Sequence, residues 1–325
     1  MLISSIVTAS LALFAGLFIS SGAQAQSWPS AKPVRIVVAF GPGSASDLFA
    51  RMLGERLQQS LGQAVVVENK PGASGQIAAE LVAKSPGDGY TLFLTTNTTH
   101  SANPHLFKTL RYDPIRDFTP VVRIAYFPFA IFVKGDSSLS NVRSIVDYAR
   151  ANPNKMSYAY TSSGGQVTAA ALVNSMSLDV VGVAYKAAPE AITSVINGQV
   201  DFTVLDFATT SSMLESRRLK AIAVTPSQRL TLAPGLPTIA EETGLKDFGV
   251  IAWMGIFGPA NLPTAVLDRL SGDLMKILAV EEFRARIASM GAEPAIAGPK
   301  EFSAFVAAEL QVWKTLIGLA RMQAE

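Results

Sequence analysis

Apolar residues fall in short runs separated by glycine, proline and polar clusters, and the runs alternate between strand-like and helix-like spacing. Val34 to Phe40 is apolar at every position except Arg35, the pattern of a strand buried on both faces. Gly41-Pro42-Gly43 then turns the chain. A helix is predicted from about Asp47 to Ser60, with Leu48, Met52, Leu53 and Leu57 on one face and Leu61-Gly62 at its end. Ala64 to Val67 predicts a second strand, Gln76 to Lys84 a short helix, and Tyr90 to Thr95 a third strand after the Pro86-Gly87-Asp88-Gly89 turn. This β-α-β-α-β order implies a parallel sheet covered on both faces.

Residues 97–117 read as irregular, and Val121 to Val133 as a long extended segment broken at Pro128. A second α/β block follows. Its helices are predicted over Leu139 to Ala151, Gln166 to Ser177 and Pro189 to Ile196. Its strands are Met156 to Tyr160, Val181 to Ala184, Val200 to Leu205 and Ala221 to Thr225. Leu236 to Leu245 is loop and short helix, and Val250 to Phe257 is extended again, returning the chain to the first block. Three helices close the sequence: Pro263 to Leu278, Glu281 to Met290, and Lys300 to about Met322. Two α/β domains joined by two crossing segments form a hinge with few degrees of freedom. The division expected is 26–125 plus 251–325 for domain 1 and 126–250 for domain 2.

Two stretches are candidates for chemistry. Phe40, Gly41, Pro42, Gly43, Ser44, Ala45, Ser46 and Asp47 bring a strand end, a glycine turn and a helix start to one point, where free backbone N–H groups and the helix dipole favour an anion. The turn lacks the Lys-Ser/Thr ending of a phosphate-binding loop and the glycine spacing of a dinucleotide fold, so a small carboxylate suits it better. Thr161, Ser162, Ser163, Gly164 and Gly165 repeat the arrangement after the Met156 strand. Two such seats facing each other would hold a dicarboxylate or the ends of a carboxylated molecule; each could equally be an ordinary strand-to-helix turn. Asp206 stands at the C-terminal end of a predicted strand, where ligands of parallel sheets collect. It is open to a site role or to a helix cap. Phe40, Tyr126, Phe127, Phe129, Tyr160, Phe207 and Trp253 crowd the same region as core, hinge or ligand walls.

Other chemistries fare worse. The only histidines are His100 and His105. Neither accompanies a Gly-x-Ser-x-Gly elbow, and five positions apart on a helix they diverge by roughly 140°. Both are expected to cap turns around Asn103-Pro104, and Asp113, Asp117 and Asp136 to form turns. No cysteine is present, which removes disulfides, thiolate metal sites and cysteine nucleophiles. No catalytic residue, metal site or cofactor is expected. The 325 residues allow about two domains. A net charge of +2, from 27 interspersed basic and 25 acidic residues, gives no footprint for nucleic acid or an anionic membrane.

The N-terminus carries an address. Ile6 to Ile19 is apolar but too short to span a bilayer, which takes ~20 residues. Ala23-x-Ala25 after it is a small-residue cleavage pattern, placing the mature start at Gln26. No Lys or Arg precedes the run. No other stretch reads as long and apolar enough to cross a membrane, so an exported, soluble mature chain is expected.

From about Lys32 to the C-terminal helix, a series of blocks carries a family resemblance. They are Pro33 to Val38 entering Gly-Pro-Gly with Asp47 after it, Leu61-Gly62-Gln63, Val65 to Ala73, and Pro86-Gly87-Asp88-Gly89-Tyr90-Thr91-Leu92. Tyr112-Asp113-Pro114, Asp117-Phe118-Thr119-Pro120, Tyr185-Lys186, Gly198-Gln199-Val200-Asp201, Leu219 to Thr225, Leu236-Pro237-Thr238 and Trp253 with Gly255 and Phe257 follow in order. In these the sequence resembles the periplasmic solute-binding proteins of the tripartite tricarboxylate transporter system, the Bug family. The resemblance implies an α/β two-domain periplasmic binding protein, a type II-like Venus flytrap without catalysis. It implies that Gly41 to Ser46 and Thr161 to Gly165 grip a ligand carboxylate and that Asp206 matches a family Asp. The family commonly has Pro-Gly-Gly where Pro42-Gly43-Ser44 stands. It often has Ser-Gly-x-Gly-Ser/Thr, with a histidine soon after, at the second turn; Thr161 to Thr168 contains none. The expected function is capture of a small organic carboxylate, a di- or tricarboxylate or an aromatic one such as a phthalate, by a periplasmic monomer. Delivery is to the membrane permease subunits of a tripartite tricarboxylate transporter. An exported serine hydrolase and a ligand-sensing partner of a membrane receptor are the alternatives.

Overall fold

The computed structural model describes residues 28–246 and 248–324. The apolar run Ile6 to Ile19, the cleavage point after Ala25 and the mature start at Gln26 lie outside the described residues.

β1 (Val34–Val38) lies between β2 (Val65–Asn69) and β3 (Thr91–Thr96), parallel to both, with Val34 opposite Val65 and Arg35 opposite Thr91. The crossovers are α1 (Ala45–Leu61) and α2 (Gln76–Ala83). Strand alternation sorts the β1 side chains between them. Val34, Ile36 and Val38 share a cluster with Phe49, Leu53 and Leu57 of α1, whereas Val37 packs with Ala78, Ala79 and Val82 of α2. Apart from Arg35, which pairs with Glu68 at 3.1 Å, the strand is apolar because both of its faces are covered.

Residues 97–117 are less irregular than expected. A π-type turn at Thr98–Ala102 runs into α3 (Asn103–Leu106). β4 (Phe118–Lys134) is then one continuous strand of 17 residues, with no break at Pro128. It first pairs antiparallel with β9 (Ile251–Pro259), ending at Pro128 opposite Ile251. From Phe129 onward its partners are β7 (Phe202–Asp206) and β8 (Leu219–Val224). Proline has no N–H to give a ladder, and here it sits where the partners change, so extended pairing survives it.

The remaining elements in chain order are α4 (Val142–Ala151), β5 (Met156–Tyr160), α5 (Ser163–Ser175), β6 (Val180–Ala184), α6 (Ala188–Ile196), α7 (Phe207–Glu215), α8 (Ile239–Thr243), α9 (Thr264–Ala279), α10 (Glu281–Ser289), β10 (Glu293–Ala297) and α11 (Pro299–Leu319). Sheet order is β2-β1-β3-β9-β4-β7-β5-β6, with β8 and β10 also paired to β4. α4 begins at Val142, not Leu139, because Asn141 forms a capping box: its side chain accepts from Ser144 N at 2.8 Å while Ser144 Oγ accepts from Asn141 N at 3.2 Å. α7 and β10 are unanticipated. The Thr-Thr-Ser-Ser stretch of α7 has weak helix propensity, and Glu293–Ala297 contains a proline and is held by its antiparallel partner β4. α11, at 21 residues with mean hydropathy 1.2, is long and apolar enough to cross a membrane by length and composition, which corrects the expectation that no such stretch follows the N-terminal run. It buries Phe302, Val306, Trp313, Leu316 and Ile317 and packs on β4, α5 and the Thr98–Ala102 turn.

His100 caps no turn. It is fully buried and stacks on Phe257 at 4.0 Å, with Phe118 edge-on at 4.7 Å and Nδ1 2.9 Å from Thr99 Oγ1. Burial lowers its pKa from 6.5 to about 3. His105 donates from Nε2 to the Leu310 carbonyl of α11 at 2.8 Å, so it too joins elements instead of capping one. Because His100 stays neutral in the fold, it contributes most above pH 6.5 and progressively less as the pH falls toward 3, where only the unfolded chain takes up the proton. Urea unfolding of wild type and H100F at pH 7 and pH 5 should show about 2 kcal/mol less acid-induced loss in the variant; equal losses would refute this account.

Candidate functional site

The first turn is braced from inside. Gly43 adopts φ +79°, a conformation natural to glycine, and Ser44 is the N-cap of α1, its Oγ accepting from Asp47 N at 3.2 Å. The Asp47 carboxylate folds back to accept from Gly43 N at 2.9 Å and pairs with Arg51, Nη2 to Oδ1 at 2.9 Å. Asn69 at the end of β2 donates to the Phe40 carbonyl at 2.9 Å. Burial acts to raise the Asp47 pKa, but the Arg51 and Gly43 hydrogen bonds outweigh it and hold the carboxyl below the usual 3.8. Asp47 is therefore occupied within the turn. The amides of Ala45 and Ser46, in the first turn of α1, have no intrahelical acceptor.

The second turn is built alike and starts its helix earlier than expected, at Ser163 instead of Gln166. Ser162 is the N-cap, accepting from Gly165 N at 3.2 Å. Gly164 and Gly165 thus belong to the first helical turn, and close packing requires them. A Cβ at 164 would lie 3.0 Å from the Phe129 ring and 3.7 Å from Trp313, and one at 165 would lie 2.7 Å from the Val204 carbonyl oxygen. Thr161 and Ser163 are half-buried and Ser162 is exposed. The amides of Ser163 and Gly164 are again without intrahelical acceptors.

Asp206 takes the cap of α7: Oδ1 accepts from Thr209 N and Thr209 Oγ1, both at 2.8 Å. Its backbone is opposite Phe129 in the β4–β7 register. Three strand-to-helix turns thus lie at C-terminal strand ends, which is where open parallel sheets bind ligands.

β4 packs against both helices that follow the first two turns. Phe127 meets Phe49 of α1 edge-on, centroids 5.5 Å apart, and Phe129 carries Gly164 of α5. Residues two apart on a strand point the same way and stand ~7 Å apart. The second turn of α1 and the first turn of α5 therefore pack on neighbouring same-face positions of one strand. α5 also contacts the Thr98–Ala102 turn that follows β3. That turn, with its π geometry, is the element of this region that the sequence reading missed; the hydroxyl-rich Thr95-Thr96-Asn97-Thr98-Thr99 run was its signal. Of the seven aromatics singled out, Phe127, Phe129, Phe207 and Trp253 are buried and Phe40, Tyr126 and Tyr160 half-buried. A surface groove of about 840 Å³ runs elsewhere, between the C-terminal half of α1 and α9 and α10, and includes none of the turn residues.

The Asp47 brace contributes above the ordinary carboxylate pKa and is lost as the pH falls through its depressed value. D47A should cost about 2 kcal/mol at pH 7, since it removes an ion pair and leaves the Gly43 amide unpaired. Denaturation at pH 7 and below 3.8 checks this: the gap to wild type must narrow in acid.

Residues 49–321 match the family model described as tripartite tricarboxylate transporter family receptor, TctC. The protein BugT of Bordetella pertussis is 29% identical over 313 residues, covering 93% of this chain and 94% of that one. A protein encoded in the tcbD-tcbE intergenic region of Pseudomonas sp. (strain P51) is 31% identical over 92% of this chain and 89% of its own length. Among solved structures, R. palustris Rpa4515 with adipate superposes with a TM-score of 0.83 at 30% identity, covering 92% of this chain and all of that one. MatC from Rhodopseudomonas palustris with bound malate gives 0.77 at 27%, over 89% and 99%. The architecture here is the two-domain α/β periplasmic binding protein fold of these solved structures. The chain belongs to the TctC family of periplasmic solute-binding proteins.

Proposed function

We propose that this protein captures a small organic carboxylate between two domains, 26–125 with 251–325 and 126–250, and presents it to tripartite tricarboxylate permease subunits. One observation supports the reading: α1, through Phe49 in its second turn, and α5, through Gly164 in its first, pack on residues two apart in β4, Phe127 and Phe129. Phe40 to Ser46 would take one end of the ligand and Thr161 to Gly165 the other, through amides and hydroxyls. Asp47 and Asp206 would act by holding their turns in shape. Hydrogen bonds from backbone N–H to a carboxylate strengthen when closure excludes water, and the closed form offers a permease a surface distinct from the open one. The adipate and malate in the Rpa4515 and MatC structures support a carboxylate ligand here. The family's periplasmic setting fits export by residues 1–25 with cleavage after Ala25, and a monomer is the expected form.

A hydrolase reading finds no support in the histidines. His100 is enclosed by aromatic rings and His105 is bound to the Leu310 carbonyl, while Ser44 and Ser162 are engaged as caps. Thermal melting of the mature chain with adipate, malate and phthalate should give stabilisation by at least one of them, since a ligand at 100 times its Kd adds about 2.7 kcal/mol. S44F and S163F should abolish that shift while leaving the circular dichroism spectrum folded. Unchanged shifts in both variants would dismiss the two-turn site.

A further inference from the structure

A carboxylate stands behind the second turn. Glu309, in the middle of α11, is 8% exposed and accepts from Trp313 Nε1, one helical turn on, at 3.2 Å. The other end of the same indole lies against Gly164. The buried indole N–H of Trp253 on β9 also acts on this carboxylate, favouring its charged form. α11 is anchored on both strand sets. Glu301 pairs with Arg123 at 3.2 Å, the Leu310 carbonyl accepts from His105, and the Ala320 carbonyl accepts from Asn174 Nδ2 of α5 at 2.7 Å. One negative charge is therefore one indole away from the turn that would receive an anionic ligand.

We propose that Glu309 is a positioning residue for the second turn, acting through Trp313, and that its proton is taken up when a carboxylate binds. The inference rests on the carboxylate reading above. An ionised Glu309 and a ligand carboxylate repel through a medium poor in water, so occupancy of the turn favours the neutral acid. The charged and titratable groups around Glu309 leave this pairing in place. Arg123 on β4 pairs with Glu301 and lies over the Phe305 ring at 4.6 Å and the Tyr126 ring at 5.0 Å. Tyr126 is pushed above 10 by burial. On α11 itself, Lys314 lies close enough to act on His105, whose pKa is lowered chiefly by burial. Glu293 of β10 is opposite Tyr126 in register, and His100 reaches Trp253 at 6.4 Å. α5 carries no titratable side chain. Burial raises the Glu309 pKa to about 7 against the pull of both indoles and Arg123, within the range where a proton can be exchanged.

The test uses the full mature chain in two arms. Tryptophan emission without ligand, followed from pH 5.5 to 8.5, should show a step with a midpoint near 7. The step should vanish in E309Q and shrink in W313F, which keeps the charge but removes the reporting indole. Titration calorimetry with adipate should show binding roughly tenfold tighter at pH 6 than at pH 8, a ratio that falls to near one in E309Q. Should adipate, malate and phthalate all fail to bind, the carboxylate reading falls and this proposal with it; where one binds, equal wild-type affinity at pH 6 and pH 8 would overturn this proposal alone. A flat wild-type profile, or the same step in wild type and E309Q, would overturn it.

Discussion

The structure depends on one strand changing its partners. β4 gives its first half to β9 and β10 and its second half to β7 and β8, and the changeover falls at Pro128. A residue without an N–H costs nothing at a position where neither ladder asks for one. The exchange is locked by Thr225 at the end of β8. Its N–H donates to the Phe129 carbonyl at 3.0 Å and its Oγ1 to the Val250 carbonyl at 2.7 Å. The two crossing segments are thereby tied to each other beside the positions on which α1 and α5 pack. Phe127 and Phe129 then do for the helices what Pro128 does for the strands. One ring takes Phe49, at about 0.5–1.5 kcal/mol beyond its burial, and the other takes Gly164, which must lack a side chain to approach.

The parts legible in the sequence are those whose cause is local. The apolar run of β1, the glycine turn at 41–43 and the Leu61-Gly62 stop of α1 each announce an element within a few residues. The parts that were not legible have causes elsewhere in the fold. α7 forms from a Thr- and Ser-rich stretch because Asp206 caps it and Thr210 Oγ1 donates back to the Asp206 carbonyl at 3.1 Å. Glu293–Ala297 becomes a strand only by lying on β4. α5 reaches back to Ser163 because two glycines let it press on Phe129 and the Val204 carbonyl, contacts invisible in a window of sequence. His100 looks like any polar loop residue until Phe118 and Phe257, 18 and 157 positions away, close around it.

The candidate site shows an economy of charge. Both of its carboxylates, Asp47 and Asp206, are turned onto the starts of their own helices, where they accept from backbone N–H groups. That disposition stabilises each start, since negative charge is favoured at a helix N-terminus. The first two amides of α1 and of α5 are left without intrahelical acceptors. Recognition of an anion by amides and hydroxyls needs no lysine or arginine to be desolvated. Each hydrogen bond to a charged acceptor is worth about 1.5–3 kcal/mol when it replaces water well. On the proposed two-turn reading, shape and water exclusion would govern selectivity more than net charge does.

The aromatic cluster beneath the site holds two titratable groups of opposite character. His100 is kept neutral by burial, so between pH 6.5 and about 3 the unfolded chain binds the extra proton and acid weakens the fold. Burial raises the Glu309 pKa to about 7, so between 4.5 and about 7 the folded chain binds the extra proton and acid strengthens the fold. Trp253 contacts one and acts on the other. Over the shared window the two slopes oppose each other, and the contribution of the pair varies less with pH than that of either group alone. A binding protein exposed to the pH of its surroundings gains from that cancellation. The pair's contribution is buffered while the charge of Glu309, behind the second turn, remains free to change.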